Sequence, residues 1–157
     1  MLATAPASAL DRSAATGAAQ EQTVQVGFWL YNGYSGLCAG VGSQLGNGAP
    51  AIQWGCNNST DLHWHFTGTT DNNGDPALYL WNDDSAKCLG VGSSLASGAQ
   101  AIQYTCNGAV DQKWWYGGAN RLRNVYSGKC LGVGSSATPG ARLIQWTCNS
   151  YTNPKWT

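Results

Sequence analysis

Six aspartates, two histidines and six cysteines are the residues between positions 23 and 157 whose types allow acid–base, metal or redox chemistry. The aspartates are Asp61, Asp71, Asp75, Asp83, Asp84 and Asp111, and no glutamate accompanies them. Asp83 and Asp84 are chain neighbours that would point to opposite faces of a strand, whereas a glycosidase needs two carboxyl groups flanking one bond. His63 and His65 flank Trp64 at a spacing of two, so both are expected on an exposed strand face. No Gly-x-Ser-x-Gly elbow and no Cys/His nucleophile arrangement occurs. Residues 71–75 read Asp-Asn-Asn-Gly-Asp but lack the spacing and closing glutamate of a calcium loop, so they are expected to form an ordinary turn. No catalytic residue, metal or cofactor is expected.

The cysteines follow a repeat. Cys38, Cys88 and Cys130 are each preceded by Leu, Asn and Ser at fixed distances (Leu30, Asn32, Ser35 and their counterparts) and followed by Gly-Val-Gly-Ser. Then come Gly-Ala, Ile-Gln, a second cysteine (Cys56, Cys106, Cys148) with Asn after it, and a closing Trp64, Trp114 or Trp156. The offset between units is 50 residues and then 42, and the extra eight belong in the Gly/Asn/Asp-rich stretch 67–76. Six cysteines permit fifteen pairings. The repeat selects Cys38–Cys56, Cys88–Cys106 and Cys130–Cys148, all 18 residues apart. A metal site would need clustered ligands, yet there is no Cys-x-x-Cys and the two histidines stand apart from the cysteines. Disulfides imply an oxidising, extracellular setting.

The elements that must position these residues are strands. Each unit consists of short apolar runs punctuated by Gly, Asn and Ser, with no sustained helical period, which is the all-β signature. Three units that cannot bury a face alone must close on one another, and threefold closure fits a small barrel capped by hairpins. Only 10% of residues are charged and the formal net charge is zero, so neither nucleic acid nor an anionic membrane is favoured as partner. No run of apolar residues is long enough for a membrane helix. Residues 1–22 are rich in Ala, Ser and Thr and lack aromatics. They read as a disordered arm or as the remnant of an export signal or pro-segment, Ala7-Ser8-Ala9 having a small-x-small form. The folded part is then 23–157, with repeats at about 27–69, 77–118 and 119–157.

The pattern Cys-Leu-x-Val…Gly-Ala…Ile-Gln-Trp-Thr-Cys-Asn…Asp-Gln-Lys-Trp resembles the ricin-B-type lectin repeat, in three copies over about residues 27–157. The closing Gln-x-Trp is intact as Gln112-Lys113-Trp114 and degenerate as Leu62-His63-Trp64 and Pro154-Lys155-Trp156. The resemblance implies a β-trefoil, a core role for the closing tryptophan, and carbohydrate binding in shallow pockets, up to one per repeat. It places the stacking aromatic at Trp54, Tyr104 and Trp146, and the polar partner three residues before the closing tryptophan at Asp61, Asp111 and Asn153. The physical logic is that an aromatic face meets the C–H face of a pyranose while carboxylate and amide groups bond its hydroxyls. Strand alternation offers a rival placement, with Ile52 and Trp54 on one face and Trp54 in the core.

One departure is systematic. Galactose-binding relatives carry an aspartate two residues after the first cysteine, where this chain has Gly40, Gly90 and Gly132. Gly-Val-Gly therefore reads as turn chemistry, glycine supplying positive φ. The second repeat, with Tyr104, Asp111 and Gln112, is expected to hold the best pocket. The expected function is non-catalytic carbohydrate binding, as a secreted lectin or as the binding module of a secreted glycan-active enzyme. The alternative is a protein-contact module such as a peptidase inhibitor, whose hot spot would lie on the loop at 67–76.

Overall fold

The computed structural model describes residues 27–149 and 155–157; the arm at 1–22, Asn153 and Pro154 lie outside the described residues. Eleven strands follow in order: β1 Phe28–Trp29, β2 Cys38–Gly40, β3 Ile52–Trp54, β4 His63–Thr70, β5 Pro76–Asn82, β6 Cys88–Gly90, β7 Ile102–Tyr104, β8 Lys113–Gly117, β9 Arg121–Asn124, β10 Cys130–Gly132 and β11 Ile144–Trp146. Single 3₁₀ turns at Thr60–Leu62 and Val110–Gln112 lead into β4 and β8. All sheet pairings are antiparallel.

Three hairpins, β2–β3, β6–β7 and β10–β11, share one register: cysteine faces aromatic and glycine faces isoleucine, as in Cys88↔Tyr104 and Gly90↔Ile102. The remaining strands form the barrel, which the last residues close, Tyr31 and Thr157 exchanging backbone hydrogen bonds of 2.8 and 2.9 Å. This is a β-trefoil.

The three hairpins meet in a ring. Ala51 donates to the carbonyl of Ala101, Ala101 to that of Leu143, and Leu143 to that of Ala51, each at 2.9 Å. Gln53, Gln103 and Gln145 are fully buried beside it, and each side-chain amide donates to a carbonyl of another repeat (Ser136, Gln44 and Ser94). Each repeat thus supplies bonds that only its neighbours complete.

The core repeats with the sequence. Trp64, Trp114 and Trp156 are wholly buried, and their indole N–H groups donate to the carbonyls of Ala39, Leu89 and Leu131 at 2.9, 2.9 and 3.0 Å. Leu30, Leu80 and Leu122 pack beside them. The bridges are Cys38–Cys56, Cys88–Cys106 and Cys130–Cys148, as the repeat selects. Each closes a loop worth about 3 kcal/mol in chain entropy.

The eight extra residues lengthen one hairpin. β4 and β5 have eight and seven residues where β8 and β9 have five and four, and the tip spans 71–75 instead of 118–120. Half of the stretch 67–76 is regular strand, at 67–70 and 76, and the turn is confined to 71–75. This tip is the expected turn. Asp71 Oδ1 accepts the backbone N–H groups of Asn73 and Asp75 at 2.8 and 2.9 Å, while Oδ2 accepts the Trp115 indole at 3.0 Å.

The Asp75 N–H holds the Asp71 carboxyl below the ordinary carboxylate range; burial opposes this, and the Asn73 N–H, Trp115 and Lys113 add to the lowering. A carboxylate lowered in the folded state contributes stability that is complete above its unfolded pKa and disappears as pH falls through the folded value. The melting temperature should therefore hold from neutral pH down to the ordinary carboxylate range and decline below it. Asp71→Asn should lower the neutral-pH value and flatten the acid decline, as thermal melts across pH would record.

Two sequence expectations are corrected here. His65 is buried, not exposed: it faces Trp81 across β4 and β5, with ring centroids 4.1 Å apart, and its Nε2 bonds Asp83 Oδ1 at 2.9 Å. Only His63 keeps partial exposure. Asp83 and Asp84 lie in the turn after β5 instead of on a strand, Asp84 N–H donating to Asn82 Oδ1 at 3.0 Å.

Candidate functional site: paired pockets beside β3 and β7

β3 and β7 bury their central glutamine and turn the residues on either side outward. Ile52 and Ile102 are half-buried, and Trp54, Tyr104 and Trp146 are 49, 43 and 38% exposed. The core placement of Trp54 is thereby excluded: Ile52 and Trp54 do share a face, and it is the outer one.

Beside each aromatic lies a shallow pocket. The first is bounded by Gly42, Ile52, Trp54, Asn57, Ser59 and Asp61, with a volume of about 220 Å³. The second is bounded by Gly92, Ile102, Tyr104, Asn107, Asp111 and Gln112, with a volume of about 190 Å³. Glycine, isoleucine, aromatic, asparagine and aspartate occupy corresponding places in both. Sequence reasoning missed Asn57 and Asn107, although the invariable Cys-Asn pair was the signal. Asn57 and Asn107 Oδ1 each accept the N–H two residues on, at 2.7 and 2.9 Å, shaping the loop that forms the pocket wall. The third pocket is described only through Trp146, because Asn153 lies outside the described residues.

The aspartates are held from two sides. Asp111 Oδ2 accepts the N–H groups of Val91 and Gly92 at 3.1 and 2.8 Å, and Asp61 Oδ2 accepts that of Gly42 at 3.0 Å. The side chains of Asn82 and Asn124 in the following repeats donate to the carbonyls of Asp61 and Asp111 at 2.8 and 2.7 Å. Asp61 Oδ1 also takes the Ser59 hydroxyl at 2.5 Å, whereas Asp111 Oδ1 accepts no hydrogen bond among the described residues. Asp111 thus keeps an oxygen for a ligand hydroxyl.

Gln112 is buried. Its Oε1 accepts the Asn107 N–H at 3.1 Å and its Nε2 donates to the Thr105 carbonyl at 2.9 Å, so it ties the wall loop to the 3₁₀ turn carrying Asp111. Leu62 cannot do this in the first repeat, where the Trp29 indole bonds the Asn57 carbonyl at 2.8 Å instead.

The octapeptide glycines divide into two roles, which refines the turn reading. Gly42, Gly92 and Gly134 have φ of 63°, 63° and 61° and do turn the chain. Gly40, Gly90 and Gly132 lie buried in strands. A Cβ at Gly90 would sit 2.5 Å from Asp111 Oδ2, and one at Gly40 would sit 3.0 Å from Asp61 Oδ2. The space that an aspartate there would enter is already filled by the carboxylate of the 3₁₀ turn. Gly90→Ala should therefore dislodge Asp111 and cost about 1–3 kcal/mol. Gly46→Ala, with open space around it, should stay within about 0.5 kcal/mol when both variants are measured by urea titration.

A threefold barrel of disulfide-closed repeats carrying aromatic–carboxylate surface pockets has the architecture of a trefoil lectin. The chain belongs to the family of the ricin-type beta-trefoil lectin domain, whose model matches residues 27–156. Among solved structures it is similar to ThreeFoil, a designed threefold symmetric protein, at 30% identity and TM-score 0.72, covering 82% of this chain and 94% of that one. It is also similar to 1,3Gal43A, an exo-beta-1,3-galactanase from Clostridium thermocellum, at 26% identity and TM-score 0.74, covering 85% of this chain and 30% of the enzyme. The fold is shared with the Macrolepiota procera ricin B-like lectin, seen in complex with lactose, at 18% identity and TM-score 0.66, over 87% and 97% of the two chains. No curated protein sequence matches the chain.

Proposed function

We propose that the protein binds carbohydrate without altering it, through the pockets at Trp54 and Tyr104 and an equivalent one at Trp146. The observation that carries this is the recurrence, in two repeats, of an exposed aromatic beside a fixed carboxylate over a pocket of one sugar ring's size. Pockets that enclose larger ligands are roughly 300–1,000 Å³. These are smaller and open, so each suits one terminal or side-chain sugar, and useful binding comes from several engaged together.

The three disulfides support an extracellular setting. The protein acts there as a lectin or as the carbohydrate-binding module of a secreted glycan-active enzyme. The lactose-bound lectin supports the first arrangement, and the galactanase, of which the chain spans 30%, the second. A glycan array identifies the ligand. NMR titration with it should then shift the Trp54 indole and Tyr104 ring signals; absence of any array signal would overturn the proposal.

A further inference from the structure

A cleft larger than either of these pockets opens elsewhere among the described residues. It lies where the second repeat meets the third, has a volume of about 540 Å³, and is bounded by Trp115, Arg121, Arg123, Gly128, Thr147 and Cys148 among others. β8 and β9 bring its polar groups together, Trp115 facing Arg123 and Gly117 facing Arg121 across the pair. The Arg123 guanidinium lies 5.3 Å from the centroid of the Trp115 ring, and its Nε donates to the Gly128 carbonyl at 3.0 Å. Neither terminal nitrogen of this positioned fork has a partner among the described residues. The Arg121 Nε is buried and has no hydrogen-bond partner among the described residues, an arrangement that costs free energy until an acceptor arrives.

Five of the eight lysines and arginines lie in the third repeat. Residues 119–157 hold Arg121, Arg123, Lys129, Arg142 and Lys155 and not one acid, so the zero net charge conceals a third repeat of charge +5. Asp71, which accepts the Trp115 indole N–H, also accepts two backbone N–H groups. At the corresponding place one repeat earlier, His65 and Trp81 occupy the positions of Trp115 and Arg123 and stack on each other. That counterpart has no guanidinium.

We propose that this cleft is an additional subsite, distinct from the three lectin pockets, that takes the carboxylate of an acidic sugar. Two guanidinium groups match a planar carboxylate in fork geometry, which an ammonium does not. The glycine-walled cleft leaves room for the ring bearing it. The inference rests on carbohydrate binding being the protein's function, and it adds a charge requirement that the aromatic pockets lack.

The test titrates the full chain with a galacturonic acid trisaccharide, with its uncharged methyl ester, and with inorganic phosphate. Calorimetry measures affinity, and NMR separates the Trp115 indole from Trp54 and Tyr104. The acid should shift Trp115 and bind at least tenfold more tightly than the ester. Its affinity should fall as salt rises. Arg121→Gln and Arg123→Gln should each remove this preference, and Arg121→Lys should weaken it while retaining charge.

Thermal melts identify any variant that fails to fold, and in that event the acid–ester comparison on the unaltered protein decides. Equal affinity for acid and ester, no response of Trp115, or displacement of the trisaccharide by phosphate at equal concentration would overturn the subsite. A response of Trp54 and Tyr104 to neutral sugars alone would leave the lectin reading intact, whereas no response to any sugar would remove both.

Discussion

Trp114→Ala is expected to lower the unfolding free energy by about 3–5 kcal/mol, the usual cost of emptying a buried aromatic site. Trp114 is 0% exposed, so its whole side chain is removed from contact with core atoms. Its neighbours Leu80, Leu89 and Leu122 come from three strands that also hold the barrel and cap in place, so collapse around the void is resisted. The Leu89 carbonyl loses the indole N–H that satisfies it at 2.9 Å, which adds the cost of a buried acceptor without a partner. A domain of this size has about 5–15 kcal/mol in total, so the variant should be largely unfolded well below the melting temperature of the parent. Urea titration followed by near-UV circular dichroism measures it, with Trp64→Ala as an internal comparison that should behave alike. A loss below about 1 kcal/mol would mean that the closing tryptophan is not the keystone of each repeat.

Tyr104→Ala should do the opposite: leave stability nearly unchanged and remove binding at the second pocket. The ring is 43% exposed and has no hydrogen bond among the described residues, so truncation opens no cavity in the core. A sugar's C–H face, however, has no other flat surface in that pocket. Ring stacking contributes about 0.5–1.5 kcal/mol beyond area burial, and the Asp111 carboxylate about 1.5–3 kcal/mol through charge-assisted hydrogen bonds. Together these correspond to affinity near millimolar, for which the whole binding free energy is about 4 kcal/mol. Losing the ring should therefore raise the dissociation constant at this pocket about tenfold or more, beyond practical detection. Asp111→Ala should abolish binding too and, unlike Tyr104→Ala, lower stability, because the N–H groups of Val91 and Gly92 lose their acceptor. If Tyr104→Ala binds the array-selected ligand as tightly as the parent, the pocket is wrongly assigned.

What was legible in the sequence was whatever the repeat wrote three times at constant spacing. The disulfide pairs follow from a spacing of 18 that recurs in every unit. The core role of the closing tryptophans and the outward aromatics came instead with the family resemblance, alternation alone leaving Trp54 a core placement. Contacts between distant positions were not legible. That Gly90 must lack a side chain because Asp111 fills the space beside it joins a residue of β6 to one in the 3₁₀ turn 21 positions on. His65 alternates correctly for an outer strand face, yet the register of β4 on β5 brings Trp81 over it. No pattern within β4 indicates that partner. The charge of the third repeat was on the page and lost in the sum, because a formal total says nothing about where the cations lie.

The ring joining Ala51, Ala101 and Leu143 has a consequence for how the chain acquires its structure. Its three bonds link different repeats, and the bond from Leu143 back to Ala51 spans most of the folded sequence. While the third repeat is still inside a ribosome, Ala101 lacks an acceptor and the Ala51 carbonyl lacks a donor, so two emerged repeats cannot form a smaller version of the same barrel. Proteins dominated by such long-range contacts fold slowly, in milliseconds to seconds. Folding should therefore wait for release of residue 143 and then proceed as one cooperative event. Until then Cys38 and Cys56, and Cys88 and Cys106, all preceding residue 143, stay accessible, so these two bridges can form before the barrel that later conceals Cys38 and Cys88.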